Sequence, residues 1–233
     1  AADGADILDI GGESTRPGAA DVSEAEEIER TAPVIAALRT GYDGPLSIDT
    51  RKAAVAQAAL AAGADIVNDV AALSYDPALA GVAASAGVPV ILMHAQGDPA
   101  TMQAAPHYDD VLLDVYDYLA ARVAAAQAAG IAADRIVVDP GIGFGKTVAH
   151  NLALLRGLSL FHGLGCPILL GASRKRFIGT LAGVEDADER MPGSLAVALA
   201  GLAKGVQITR LHDIAATKQA VTLWQAATGM GQA

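Results

Sequence analysis

The stretch Ile136-Val-Val-Asp-Pro-Gly-Ile-Gly-Phe-Gly-Lys-Thr147 (IVVDPGIGFGKT) runs from an apolar segment into glycines and a Gly-Lys-Thr tripeptide, the outline of a nucleotide-binding loop. A phosphate-cradling loop needs a glycine five residues before its Gly-Lys pair, so that successive backbone N–H groups can wrap the phosphates. Here that position is Pro140, which has no N–H to give. The dinucleotide pattern G-x-G-x-x-G fails as well, because Lys146 stands where the third glycine belongs. What remains is a β-branched strand ending in a carboxylate, Asp139, followed by a stiff Pro-Gly turn.

The same unit recurs on both sides of it. Strand-length apolar runs lie at 5–13 (ADILDIGGE), 45–50 (PLSIDT), 65–69 (DIVND), 89–94 (PVILMH), 136–139 (IVVD), 167–173 (PILLGAS) and 206–213 (VQITRLHD). Such nearly continuous apolarity marks strands buried on both faces of a parallel sheet. The segments between them carry helical periodicity. Over 108–130, Val111, Leu112, Val115, Leu119 and Val123 share a helix face and Gly130 stands as a stop. Seven βα units without a compositional break predict an α/β fold, a (β/α)8 TIM barrel, as a single domain over 1–233. Residues 1–4 read as the last turn of a helix ending at Gly4, so the first βα unit is expected to be largely missing from this chain. The competing architecture is an open doubly wound sheet.

Composition narrows the partners. The chain has 233 residues, 52% of them hydrophobic and 4% aromatic, and a net charge of −10. That charge argues against nucleic acid, whose binding depends on a basic surface. Any anionic ligand must be caught by a few placed Arg or Lys side chains. The single cysteine, Cys166, is expected to be buried and fits a reducing compartment. No apolar run approaches the ~18 residues of a membrane span and no signal peptide is visible, so the expected location is cytoplasmic.

In a barrel of this kind the site gathers at the C-terminal strand ends. Those ends supply Asp9 and Glu13, Asp49, Asn68 and Asp69, His94, Asp139, Ser173 to Arg176, and Arg210 with His212 and Asp213. Asp49, Asn68 and Asp139 interrupt or end apolar strands, where an unpartnered carboxylate is costly. Together they form an acceptor-rich floor suited to a flat heterocycle with an amino-imino edge. Near the last two strands the charge turns positive with Arg174, Lys175, Arg176, Arg210 and His212, as a phosphate-bearing group requires. Plainer readings stand beside these. Asp49 or Asp69 could cap the following helix, Arg174 could pair with a nearby carboxylate, and His94 reads as a satisfied core histidine. His107, His150 and His162 lie away from strand ends and read as surface or packing residues. Two loops stand out as substrate-covering or rim segments, 12–18 (GESTRPG) and 97–107 (GDPATMQAAPH).

These motifs in this order resemble dihydropteroate synthase: IGGESTRPG at 10–18, SIDT at 47–50, VND at 67–69, LMH at 92–94, DPGIGFGK at 139–146, GASRK at 171–175, GSLA at 193–196 and RLHD at 210–213. The resemblance covers essentially the whole chain. It implies a transferase of folate biosynthesis that joins 6-hydroxymethyl-7,8-dihydropterin diphosphate to 4-aminobenzoate, giving 7,8-dihydropteroate and pyrophosphate. It further implies a pterin held by Asp49, Asn68, Asp139 and Lys175, with Met93 and Gly171 also against the substrate. Arg210 and His212 would take the leaving pyrophosphate, and Lys175, Arg210 and His212 are the catalytic candidates. Thr15, Arg16, Pro17, Phe144 and Arg176 would surround the aminobenzoate. Mg2+ as cofactor, sulfonamides as competitors and a homodimer, with the helix after residues 193–196 at its interface, follow from the same resemblance. Members of that family begin with a further strand and an Asn-Val-Thr-Pro-Asp-Ser-Phe type loop that supplies a metal ligand, which has no counterpart here, so the metal ligands are left unassigned. A non-catalytic pterin-binding paralogue and a pterin-dependent methyltransferase domain are the alternatives.

Overall fold

The computed structural model describes residues 1–14, 19–97 and 102–229. Seven strands alternate with helices: β1 (Leu8–Gly11), β2 (Leu46–Asp49), β3 (Ile66–Asp69), β4 (Val90–Met93), β5 (Ile136–Asp139), β6 (Leu169–Leu170) and β7 (Ile208–Thr209). The helices are α1 (Glu24–Arg39), α2 (Ala53–Ala61), α3 (Leu79–Ala86), α4 (Val111–Ala128), α5 (Val148–Arg156), α6 (Arg176–Ala182), α7 (Met191–Leu202) and α8 (Ile214–Thr228). Strands β1 to β5 pair in parallel and in sequential order, and β6 pairs with β7. A parallel bridge between Val138 and Ile168 carries the order from β5 towards β6. A doubly wound sheet would reverse its strand order at a switch point. The unbroken order is that of a (β/α) barrel.

All seven expected strands form; β5 fills its apolar run, and the other six are shorter than theirs. Strands β3 and β5 leave the sheet at the aspartates that close their runs, and the others leave it one to four residues earlier. The helix expected over 108–130 is α4: Asp110 accepts from the N–H groups of Leu112 and Leu113 at its start, and Gly130 follows its end at φ +98°. Val111, Val115, Leu119 and Val123 are buried along one face of it.

Strand parity decides what the barrel does with its polar residues. Side chains alternate between the two faces of a strand. Ile48, Val67, Leu92 and Val138 join Ile35, Val55, Ala83, Leu119 and Leu154 of the surrounding helices in one core cluster. The alternate positions belong to the opposite, inward face, and the register lines them up: Gly11 beside Asp49, Asp49 beside Asn68, and Met93 beside Asp139. Asp9, two residues before Gly11, shares that face. Asp69 shares parity with Val67 and so points outward towards the helices.

Among the described residues β1 and β7 do not pair with each other. Side chains bridge the two ends instead. Arg210, just after β7, reaches Asp9 and Asp49, and Lys218 of α8 donates to the carbonyl of Gly4 at 2.6 Å and to Asp6 at 3.1 Å.

Candidate active site

The inward face at the strand ends is an acidic floor threaded by one guanidinium. Oδ2 of Asp9 accepts from Nε of Arg210 at 2.6 Å and from Nδ2 of Asn68 at 3.2 Å. Oδ2 of Asp49 accepts from Nη2 of the same arginine at 2.9 Å. Burial raises the Asp49 carboxyl to about 7, and the charge of Asp9 adds to the shift while Arg210 works against it. Asp139 is also raised by burial, opposed by Lys175 and by the N–H of Gly141, which donates to its Oδ1 at 2.8 Å. Arg210 is held firmly cationic: burial opposes its charge, and Asp9 and Asp49 outweigh that. Gly171 borders this space. A Cβ there would sit 3.7 Å from Oδ2 of Asp139 and 3.9 Å from Arg210, so the glycine leaves the gap between the two open.

The turn after Asp139 is pinned by side chains at every carbonyl from 141 to 145. Lys146 Nζ donates to Gly141 and Phe144, both at 2.9 Å, and to the His94 carbonyl at 3.3 Å, and it lies 2.9 Å from Nδ1 of His94. Lys175 Nζ donates to Ile142, Gln103 to Gly143, and the Tyr108 hydroxyl to Gly145. Burial, followed by the charge of Lys146, lowers His94 to about 3, so its imidazole is neutral. Lys146 is itself lowered well below an ordinary lysine by burial. Gly141 is obligatory here, since it has φ +68° and a Cβ would fall 1.8 Å from the His94 carbonyl oxygen. On the outer side of the turn, the Lys175 ammonium lies 4.4 Å from the centre of the Phe144 ring.

The positive side is smaller than the sequence suggests. Arg174 pairs with Asp213 at 2.6 Å and with Asp188, which makes it an anchor between loops. His212 faces Ser173, with Nδ1 3.0 Å from the hydroxyl. Arg176 is exposed at the first position of α6. Asp69 accepts from the N–H groups of Ala71 and Leu73 at 2.7 and 2.6 Å and so holds a turn containing the left-handed Ala72 and Leu73. Neither Asp49 nor Asp69 caps a helix: the N-cap residues of α2 and α3 are Lys52 and Ala78, and neither makes a side-chain cap bond. Thr15, Arg16 and Pro17 lie outside the described residues, as does part of the 97–107 loop.

The family model for pterin binding enzymes matches residues 1–212. The chain belongs to that family. It is 51% identical over 228 residues to a dihydropteroate synthase of Neisseria meningitidis serogroup B, covering 96% of this chain and 80% of the relative. Among solved structures, Xanthomonas albilineans dihydropteroate synthase with 4-aminobenzoic acid superposes with a TM-score of 0.93 at 48% identity, covering 98% of this chain and 81% of that one. Yersinia pestis dihydropteroate synthase in a sulfonamide drug complex gives a TM-score of 0.94 at 44% identity, with 98% and 82% covered.

Within this pterin-binding barrel, sequence reasoning placed Asp49, Asn68, Met93, Asp139, Gly171 and Arg210 around one space, and the structure brings them together. It gave no role to Lys146, whose position after the glycines was the available signal. It also missed a buried clamp on the loop that follows β1. Glu13 accepts from Val22 N at 2.9 Å, Lys52 at 3.1 Å and Arg51 at 3.1 Å, while Lys52 also meets Glu27 at 2.7 Å. Burial opposes the charge of Lys52, and Glu27 and Glu13 keep it protonated. Nothing in a run of 40 residues marks those partners in advance.

Two outcomes follow from these electrostatics. A carboxyl raised to about 7 in the folded state binds a proton there that the unfolded chain releases near 3.8, so its burial destabilises the fold progressively as pH rises from about 4 to 7. Asp49→Asn should therefore raise Tm by a few degrees at pH 8 and change it little at pH 5; a lower Tm at pH 8 would contradict this account. Lys146→Met strips the donor from Gly141, Phe144 and His94 and should cost about 2–5 kcal/mol in urea unfolding. A loss below about 0.5 kcal/mol, the range of ordinary surface changes, would show that the pinned turn does not depend on it.

Proposed function

We infer that the chain carries out the dihydropteroate synthase reaction: it condenses 6-hydroxymethyl-7,8-dihydropterin diphosphate with 4-aminobenzoate, giving 7,8-dihydropteroate and pyrophosphate. The observation that carries the reading is the inward line of Asp49, Asn68 and Asp139, with Arg210 reaching into it and Lys175 at its edge. Asp139 accepts from a ring N–H and the 2-amino group of the pterin, and Asn68 and Asp49 complete the acceptor edge. Lys175 leaves the Ile142 carbonyl to donate to the opposite edge of the ring. Met93 packs on the ring and Gly171 leaves it room.

In the reaction, the bond from the pterin methylene carbon to the diphosphate oxygen breaks, with its electron pair leaving on pyrophosphate. The arylamine nitrogen then bonds to that carbon and gives up a proton. Arg210 and His212 receive the departing anion, so catalysis is electrostatic stabilisation and exclusion of water. Phe144, Thr15, Arg16, Pro17 and Arg176 surround the aminobenzoate. The sulfonamide bound by the Yersinia pestis relative supports sulfonamides as competitors at that place. The aryl group then sits beside Phe144, whose backbone Lys146 fixes.

Among the described residues no three His, Cys, Asp or Glu side chains are grouped to hold a metal ion. Mg2+ fits as a companion of the diphosphate, since it keeps waters and takes substrate phosphate oxygens with few protein ligands. Bound there, it would neutralise the leaving group. One barrel domain over 1–233, a cytoplasmic location and a homodimer belong to the same reading; no described helix is long and apolar enough to cross a membrane. The dimer is supported by α7, where Leu195, Val197, Leu199 and Leu202 stay half-buried, and by Leu223 of α8, which is 65% exposed.

The test is pyrophosphate release with the pterin diphosphate, 4-aminobenzoate and Mg2+, together with calorimetry of pterin binding. Asp139→Asn should weaken pterin binding about 10- to 100-fold, the range for a lost charge-assisted hydrogen bond; unchanged affinity would remove Asp139 from the pterin site. Sedimentation at micromolar concentration should return a dimer, and a monomer would refute that part.

A further inference from the structure

Asp9 lies inside the site, between Arg210 and Asn68. It stands on β1 with Gly11 and Asp49 on the inward face, and its side chain is 16% exposed. One oxygen, Oδ2, takes both of its hydrogen bonds: 2.6 Å from Nε of Arg210 and 3.2 Å from Nδ2 of Asn68. The other, Oδ1, is buried and has no hydrogen-bond partner among the described residues. A carboxylate seldom leaves a buried oxygen empty, because the lost hydration goes uncompensated. The arrangement fits a group whose second oxygen is held for a donor that arrives or moves during the reaction.

Resting on the reading of the site given above, we propose that Asp9 is a positioning residue: it is the pivot that ties the pterin-side amide of Asn68 to the diphosphate-side guanidinium of Arg210. In the ligand-free protein the two ends of the guanidinium are divided, with Nε on Asp9 and Nη2 on Asp49. An arriving diphosphate competes for Nη2. If Nε stays on Asp9, the guanidinium turns about that contact, releases Asp49 to the pterin and meets the anion without leaving the site. The empty Oδ1 offers a second acceptor to the turning fork. On its other side, the bond from Asn68 fixes which end of the amide faces the pterin, because the Nδ2 end is committed to Asp9.

Asp9 also sets the charge state of the floor. The groups that act on Asp49 are Asp9 from β1, Arg210 after β7, Asp69 from β3 and Glu27 from α1, and Asp9 is the strongest of the three acids among them. Removing its charge lets Asp49 ionise at lower pH. The acid limb of kcat/KM reports the free enzyme, so that limb should move down.

The experiment compares wild type, Asp9→Asn and Asp9→Glu in the full chain, following pyrophosphate release across pH and binding of a pterin that lacks the diphosphate. Asp9→Asn should raise the KM for the pterin diphosphate about tenfold or more, with a smaller fall in kcat, and shift the acid limb to lower pH. Asp9→Glu keeps the charge and displaces the oxygens, so its KM should rise with the acid limb near that of wild type. A purely structural role would lower the active fraction, and thus kcat, without moving either KM or the limb. That result in a folded Asp9→Asn would overturn the pivot; if Asp9→Asn does not fold, wild-type KM in Asp9→Glu overturns it equally. In a double-mutant cycle with Arg210→Lys the two effects should fall short of additivity, and additive effects would also count against the proposal. A wild-type chain that neither binds pterin nor releases pyrophosphate would sink the reading of the site and not the pivot alone.

Discussion

Two carboxylates, Asp9 and Asp49, point into the same barrel interior from adjacent strands, and the Arg210 guanidinium meets both. Without that cation the floor would hold unpaired acids in a place where charge is poorly hydrated, and it would neutralise itself by taking up protons. With it, Asp49 still sits near 7. The floor is thus poised, and its balance depends on the Arg210 side chain. The same contact ties β1 and β2 to the chain just after β7.

The second constraint is the turn after Asp139. A strand-end carboxylate can read a flat ring only if the chain beyond it stays out of the way and keeps its shape. Gly141 and Gly145 let that chain press against the backbone of residues 94–96, and Lys146 gathers the carbonyls this close approach turns inward. Asp139 is therefore oriented by the Gly141 N–H of its own turn, and the buried Lys146 holds that turn in place. Lys175 is bound at the rim, between the Ile142 carbonyl and the Phe144 ring, and both contacts are of a kind that a ring acceptor can replace.

Much of this could be read along the chain. Apolar runs closed by polar residues located all seven strands and most of the floor, because a parallel barrel buries both faces of each strand and exposes only its ends. What could not be read was the third dimension. Asp69 lies one residue beyond Asn68, yet strand parity turns it outward to hold a turn. Arg174 looked as cationic as Lys175, and Asp213, 39 residues away, pairs with it. Asp9 finds its partners 59 and 201 residues along the chain, and no local pattern announces such contacts. Lys146 appeared only as the residue that spoiled a glycine motif, whereas burial makes it the knot of the turn.

The most direct measurement is a crystal structure of the chain with the pterin diphosphate bound in the absence of 4-aminobenzoate. The account predicts the amino-imino edge of the ring on Asp139, the Arg210 Nη2 contact moved from Asp49 to diphosphate oxygens, and Nε still on Asp9. A ring seated away from Asp139, or a diphosphate bound while Arg210 keeps both of its carboxylates, would contradict it.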